Sequence, residues 1–210
     1  MLLQVAIDRV SVSEAERIIN LCGGMADIVE VGTSLIKDFG LECSVGYLKK
    51  KFPGQTILAD IKTIDEGEYE FRRAFEAGAD IATVMGAASV TTISSCQKMA
   101  REYNRSCMID LMGLDQKEVD ALTVFDDAIF CLHLPSDCAG APAAELAELI
   151  EKNVKPLGRV SRVAVAGGVR LGNIPFFRAA GIEIVIVGSA ITKNSDIAGS
   201  AAEFRRALIV

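Results

Sequence analysis

The chain is short of several residue types and patterns, and each shortage removes a class of function. Histidine occurs once in 210 residues and tryptophan not at all. There are six cysteines, Cys22, Cys43, Cys96, Cys107, Cys131 and Cys138, but no C-x-x-C pair. Most sit in apolar runs, as small buried hydrophobes do. The sequence therefore predicts free thiols in a reducing cytosol, with neither a disulfide framework nor a zinc site. No basic cluster stands out, the net charge is -6 and the pI is near 5.0, which argues against nucleic acid and anionic membrane as partners. No apolar stretch is long enough to span a bilayer. Residues Met1 to Asp8 have no basic leader and no cleavage pattern, and read as a strand rather than a signal peptide. The G-x-G-x-x-G pattern of dinucleotide sites is missing, as are linkers, low-complexity tracts and short repeats.

What is present is apolar and regular. Half of the residues are hydrophobic and the mean hydropathy is +0.33, enough for one sizeable core and a single domain over 1–210. Strand-like runs at Leu2–Ile7, Asp27–Val31, Thr56–Ile61, Asp80–Met85, Ser106–Leu111, Ala128–Leu132, Val160–Ala166 and Ile182–Val187 alternate with helical patterns. The helical stretches include Ser34 onward with a second half over Ser44–Lys51, then Glu68–Ala77, Ser89–Tyr103, Gln116–Leu122, Ala143–Asn153, Leu171–Ala180 and Ile197–Leu208. Several strands are unbroken β-branched runs, which suits a parallel sheet covered on both faces. Eight such units predict an α/β fold, a closed (β/α)8 TIM barrel, with a doubly wound open sheet as the alternative.

The stretch Asp60-Ile61-Lys62-Thr63-Ile64-Asp65 follows the apolar run Thr56-Ile57-Leu58-Ala59. In a strand, Asp60 and Lys62 share a face, about 7 Å apart along it, and Asp65 falls in the loop beyond. A carboxylate and an ammonium on an inner face cost free energy unless they have partners or a task. A buried structural ion pair is one reading, and a functional pair is the other.

The other strand ends favour the second reading. They carry Asp8, Glu30, Asp110, His133, Gly167-Gly168 and Gly188-Ser189, and in a (β/α)8 barrel those ends build the active site. His133 is the only histidine, at a position suited to acid–base work. Glu30 and Asp60 are hard oxygen donors with no thiolate or imidazole in company, which suits Mg²⁺ better than Zn²⁺. The glycines after the last two strands present backbone N–H groups at turns that can cradle a phosphate.

On these residues the sequence resembles the orotidine 5'-phosphate decarboxylase suprafamily, and within it the branch of hexulose-6-phosphate synthases and 3-keto-L-gulonate-6-phosphate decarboxylases. The likeness runs through Ala6-Ile7-Asp8, Glu30-Val31-Gly32-Thr33, Asp60-Ile61-Lys62 with Asp65, the Asp110 strand, His133, Ala166-Gly167-Gly168-Val169 and Val187-Gly188-Ser189-Ala190-Ile191-Thr192. The resemblance implies an obligate homodimer of (β/α)8 barrels, with Mg²⁺ on Glu30 and Asp60 and with Asp65 reaching into the partner's site. It implies an ene-diolate of a phosphorylated ketose, with Lys62 as a second cation, Asp8 on a sugar hydroxyl and His133 moving a proton.

There are departures. Where related synthases carry a glycine and a glutamine after the histidine, this chain has Pro135 and Ala139. Where related decarboxylases carry glutamate and arginine, it has Asp110 and Ser136, and Ser189 stands where many relatives place a phosphate-binding arginine. The expected activity is aldol addition of formaldehyde to ribulose 5-phosphate. Decarboxylation of 3-keto-gulonate 6-phosphate is the alternative. A non-catalytic sugar-phosphate-binding protein is a further one, while an epimerase would be expected to need more than one histidine.

Overall fold

Eight β-rich segments each pair in parallel with the next, and the last pairs with the first. The strands are β1 (Leu2–Ile7), β2 (Ile28–Val31), β3 (Thr56–Thr63), β4 (Ile81–Met85), β5 (Ser106–Asp110), β6 (Ile129–His133), β7 (Arg162–Ala166) and β8 (Ile184–Val187). They close in sequence order into one barrel, β1 beside β8 through Leu2↔Ile184 and Val5↔Val187. The computed structural model describes residues 1–133, 147–148, 150–152, 157 and 162–209. The helix expected over Ala143–Asn153 lies largely outside the described residues, as do Pro135, Ser136, Cys138 and Ala139.

Alternation along each strand sorts the side chains. Val5, Val29, Ile57, Ala59, Val84 and Val185 point outward into the layer between barrel and helices. Ile28, Leu58, Ile81, Met108, Ile129 and Ile184 fill the barrel's inside. Two residues further along the same inward register come Glu30, Asp60, Thr83, Asp110 and Cys131. The apolar inner layer is thus the floor on which the polar layer stands.

The outer helices described from end to end are α1 (Val12–Cys22), α2 (Thr33–Leu41), α3 (Tyr47–Lys51), α4 (Gly67–Glu76), α5 (Val90–Glu102), α6 (Gln116–Ala121), α7 (Ile174–Ala180), α8 (Ser189–Thr192) and α9 (Ile197–Ile209). Ser11 and Ser89 cap α1 and α5 by accepting the N–H of Glu14 and Thr92, and Asp115 with Glu118 forms a capping box on α6. Phe71, Phe130 and Phe177 are wholly buried, each contributing about 2–3 kcal/mol through lost apolar hydration. At Gly67 a β-carbon would stand 2.7 Å from both Cys96 Sγ and the Thr92 carbonyl, so α4 and α5 approach closely only because that position is glycine.

Most expected boundaries agree within two residues. Two differences have physical causes. β3 runs to Thr63 rather than Ile61, because Lys62 and Thr63 stay in contact with β4 through an irregular register. The helix from Thr33 breaks at Gly40, whose φ of 75° no helix holds, and continues through a wide π turn, Glu42–Gly46, into α3.

Candidate active site

Three carboxylates and one ammonium meet inside the C-terminal mouth of the barrel. Lys62 Nζ stands 2.7 Å from Asp110 Oδ2 and 3.2 Å from Asp60 Oδ1. The two head groups of the Asp60–Lys62 pair therefore touch, although a regular strand would space the residues about 7 Å apart. Asp110 Oδ2 also meets His133 Nδ1 at 2.8 Å, and the Met112 N–H donates to Asp110 Oδ1 at 3.0 Å. Asp60 is held from both flanks. The Thr83 hydroxyl donates to its Oδ1 at 2.9 Å and the Thr33 hydroxyl lies 2.8 Å from its Oδ2. Glu30 Oε2 accepts from Gln4 Nε2 at 2.5 Å, deep in the barrel.

The charges shift one another. Burial, then the neighbouring Asp60 carboxylate, push the Glu30 carboxyl up to about 8, against the Gln4 hydrogen bond and Lys62. Burial also works to raise Asp110, but His133 and Lys62 outweigh it and hold that carboxyl down at about 2. Burial would lower Lys62, yet Asp60, Asp110 and Glu30 prevail and raise its ammonium above the ordinary lysine range.

Asp8, at the end of β1, accepts from the Ser34 hydroxyl at 2.9 Å, and the same hydroxyl accepts the Arg9 N–H at 2.6 Å. A β-carbon at position 32 would lie 2.2 Å from the Asp8 carboxylate, so Gly32 is the flat surface on which Asp8 rests. Gly167 and Gly168 follow β7 with φ of 85° and 64°, and Gly188 and Ser189 follow β8 into α8. The two turns neighbour each other because β7 pairs with β8. Asp65 stands apart. It is exposed beyond β3 and accepts only the Glu66 N–H, at 2.8 Å, among the described hydrogen bonds.

The site thus brings Glu30, Asp60, Lys62, Asp110 and His133 together, with Asp8 and the glycine turns on the same rim. It leaves Asp65 outside its own chain's cluster. Sequence reasoning gave no role to Gln4, Thr33, Ser34 and Thr83. Gln4 and Thr83 had a readable signal, since each is a polar residue in inward register within an otherwise apolar strand.

The donor set can be tested against a cation. Glu30 and Asp60 are oxygen donors; burial first and then the Asp60 carboxylate raise Glu30, and a divalent ion would relieve the repulsion between the two. No group of three or more His, Cys, Asp or Glu side chains is arranged to hold a metal among the described residues. The remaining positions would fall to water and substrate oxygens. Two carboxylates with the rest from water and substrate fit Mg²⁺.

A closed parallel barrel with acids, one lysine and one histidine converging at the strand ends has the architecture of a (β/α)8 enzyme. Its residues 1–204 match the orotidine 5'-phosphate decarboxylase / HUMPS family, and the chain belongs to that family, in the branch of 3-hexulose-6-phosphate synthases and 3-keto-L-gulonate-6-phosphate decarboxylases. It is similar to the 3-hexulose-6-phosphate synthase of Mycobacterium gastri, 36% identical with 99% of this chain and 100% of the relative covered. The crystal structure of a 3-hexulose-6-phosphate synthase superposes with a TM-score of 0.91 at 36% identity, covering 99% and 100% of the two chains. The crystal structure of KGPDC from Streptococcus mutans superposes at 0.89 with 25% identity, covering 99% and 96%.

Proposed function

We propose that this carbon–carbon lyase is a 3-hexulose-6-phosphate synthase, joining formaldehyde to D-ribulose 5-phosphate by aldol addition. The observation that carries the reading is Asp110 placed between Lys62 and His133. An acceptor carboxylate on Nδ1 puts the ring proton there and leaves Nε2 with its lone pair for the substrate. His133 takes a proton from C1 of the ketose phosphate. The resulting ene-diolate forms a bond from C1 to the formaldehyde carbon as the formaldehyde C=O π bond breaks; the C2 carbonyl re-forms, and the formaldehyde oxygen takes up the proton carried by His133. Lys62, held by Asp60 and Asp110, presents positive charge where the enolate oxygen gains negative charge. Asp8 holds a sugar hydroxyl, and the backbone N–H groups around Gly167, Gly168, Gly188 and Ser189 receive the phosphate. Magnesium, held by Glu30 and Asp60, would supply further Lewis-acid stabilisation of adjacent sugar oxygens.

The second reading, 3-keto-L-gulonate-6-phosphate decarboxylation, draws support from the fit to KGPDC. The shorter Asp110 weighs against it, since the decarboxylases resembled carry glutamate there. NMR of C1 proton exchange in ribulose 5-phosphate with Mg²⁺, with and without formaldehyde, tests the assignment. Hexulose 6-phosphate formation that stops in EDTA and returns with Mg²⁺ is expected. Faster decarboxylation than addition in side-by-side kinetics would overturn it.

We also propose a homodimer in which Asp65 serves the partner's site. Asp65 is exposed next to the exposed Ile64, in the segment that joins β3 to α4, and the end of β3 and α4 line a cleft of about 480 Å³ with α2 through Ile61, Tyr69 and Phe39. Such a patch suits a second copy of the chain. Inactive Asp65→Ala mixed with inactive Lys62→Ala should regain activity after subunit exchange. No helix among the described residues is long and apolar enough to cross a membrane. The five described cysteines are free thiols, which suits a cytosolic enzyme.

A further inference from the structure

β3 departs from a regular strand where it carries its two charges. From Ala59 to Thr63 it advances four residues, while β4 beside it advances two, from Ala82 to Val84. The surplus bows out around Asp60, Ile61 and Lys62. Lys62 takes a left-handed φ of 48°, a conformation that costs a residue with a β-carbon about 1–2 kcal/mol. A bulged residue ordinarily loses its ladder partner, and an orphaned buried N–H costs about 1–3 kcal/mol more.

Here the N–H keeps a partner. Lys62 N donates to Thr83 Oγ1 at 2.9 Å, and the same hydroxyl donates to Asp60 Oδ1 at 2.9 Å. A hydroxyl has one proton to give and lone pairs to receive. Thr83 gives its proton to the carboxylate and accepts from the backbone two residues later. It is 3% exposed and points inward on β4. Thr33 cannot stand in, because it approaches the Asp60 carbonyl and Oδ2 from the β2 side.

We propose that Thr83 is a positioning residue: its hydroxyl locks the bulge of β3 to the Asp60 carboxylate and so fixes where the Lys62 ammonium stands. Valine has the same shape but neither contact. With valine the Lys62 backbone can relax toward ordinary extended geometry, and Nζ moves off the line between Asp60 and Asp110. The catalytic consequence rests on the synthase reading; the placement of Nζ does not.

The test compares parent, Thr83→Val and Thr83→Ser. Side-chain ¹⁵N NMR reads the Lys62 ammonium directly, assigned by its loss in Lys62→Met. The resonance should be slowly exchanging in the parent and in Thr83→Ser, and broadened or lost in Thr83→Val. In kinetics, Thr83→Val should lower kcat about 10–100-fold, the cost of roughly ångström-scale misplacement, with KM for ribulose 5-phosphate little changed and Thr83→Ser close to the parent. A Lys62 resonance in Thr83→Val like the parent's overturns the proposal whatever the rates. A parent that does not add formaldehyde removes the synthase reading alone, and the resonances still decide this one. If Thr83→Val does not fold, Thr83→Ala carries the same comparison.

Discussion

The two ends of the barrel use acidic residues in opposite ways. At the N-terminal end, Asp27 sits one residue before β2 and accepts the Leu3 N–H of β1 at 2.8 Å, with Arg205 paired to it. Asp80 sits one residue before β4 and repeats the arrangement. It accepts the Ile57 N–H of β3 at 2.9 Å, pairs with Lys49 at 2.7 Å and meets Arg105. Each of these two acids staples adjacent strands and is paired, Asp27 with one cation and Asp80 with two. At the C-terminal end, Glu30, Asp60 and Asp110 lie deeper and crowd around one lysine, on a strand with a strained backbone. One end spends acids on holding strands in register. The other concentrates unbalanced charge where a substrate can balance it, at some cost to the fold.

That contrast is broken or sharpened by substitutions at either end. Lys62→Ala should show the largest effect, a fall in kcat of at least about 10²–10³-fold with the barrel intact by circular dichroism, because an electrostatic stabiliser in a preorganised site is lost. Near-parent turnover would reduce Lys62 to a structural partner of Asp60. Asp80→Asn should do the reverse. It weakens two ion pairs and a strand-start hydrogen bond, so urea unfolding should show a loss of about 1–3 kcal/mol with kcat unchanged. If Asp80→Asn lost activity before stability, the division of labour between the ends would be wrong.

Glu30→Gln joins the two readouts. Its carboxyl is raised to about 8 by burial and Asp60, so the folded chain holds a proton there that the unfolded chain gives up above an ordinary glutamate pKa. The stability that this proton confers is complete below about pH 4.5 and is lost as pH rises through 8. Glutamine removes the charge. In EDTA at pH 8, Glu30→Gln should melt a few °C above the parent, about 2–4 °C for 1 kcal/mol in a chain of this size, while Mg²⁺-dependent turnover disappears. Added Mg²⁺ should raise the melting temperature of the parent only. An unchanged melting temperature in both conditions would remove the claim that Glu30 and Asp60 repel each other and hold a cation.

Much of this was legible in the sequence. Eight apolar runs with alternating periods specify the barrel, because burial on both faces of a parallel sheet leaves its mark residue by residue. The convergence of Glu30, Asp60, Lys62, Asp110 and His133 was legible too, since inward register and strand ends can be read by alternation. The bulge was not. Asp60-Ile61-Lys62 looks like three residues of an ordinary strand, and nothing in it announces a left-handed lysine. That conformation depends on Thr83, which lies 21 residues on. The staples at the other end were missed for a similar reason: Asp27 reads as a strand boundary until Arg205 is brought to it from 178 residues away.

The smallest effect is also the one that separates the two buried carboxyls most cleanly. Asp110 is shifted the opposite way from Glu30, down to about 2, because His133 and Lys62 overcome its burial. A depressed carboxyl contributes stability that is present above the ordinary aspartate pKa, near 4, and is lost as pH falls toward 2. The urea midpoint of the parent should therefore exceed that of Asp110→Asn at pH 5–6, and the gap should narrow between about pH 4 and 2 as the carboxylate is protonated and the asparagine is not. Between pH 5 and 8 the same gap should stay level with respect to Asp110, while the parent's gap from Glu30→Gln changes. The two carboxyls occupy the same end of one barrel, share Lys62 as a neighbour, and yet should give slopes in separate pH windows. A gap for Asp110→Asn that stays constant down to pH 2 would mean that Asp110 is not held by His133 and Lys62 in solution, and the base assigned to His133 would lose its anchor.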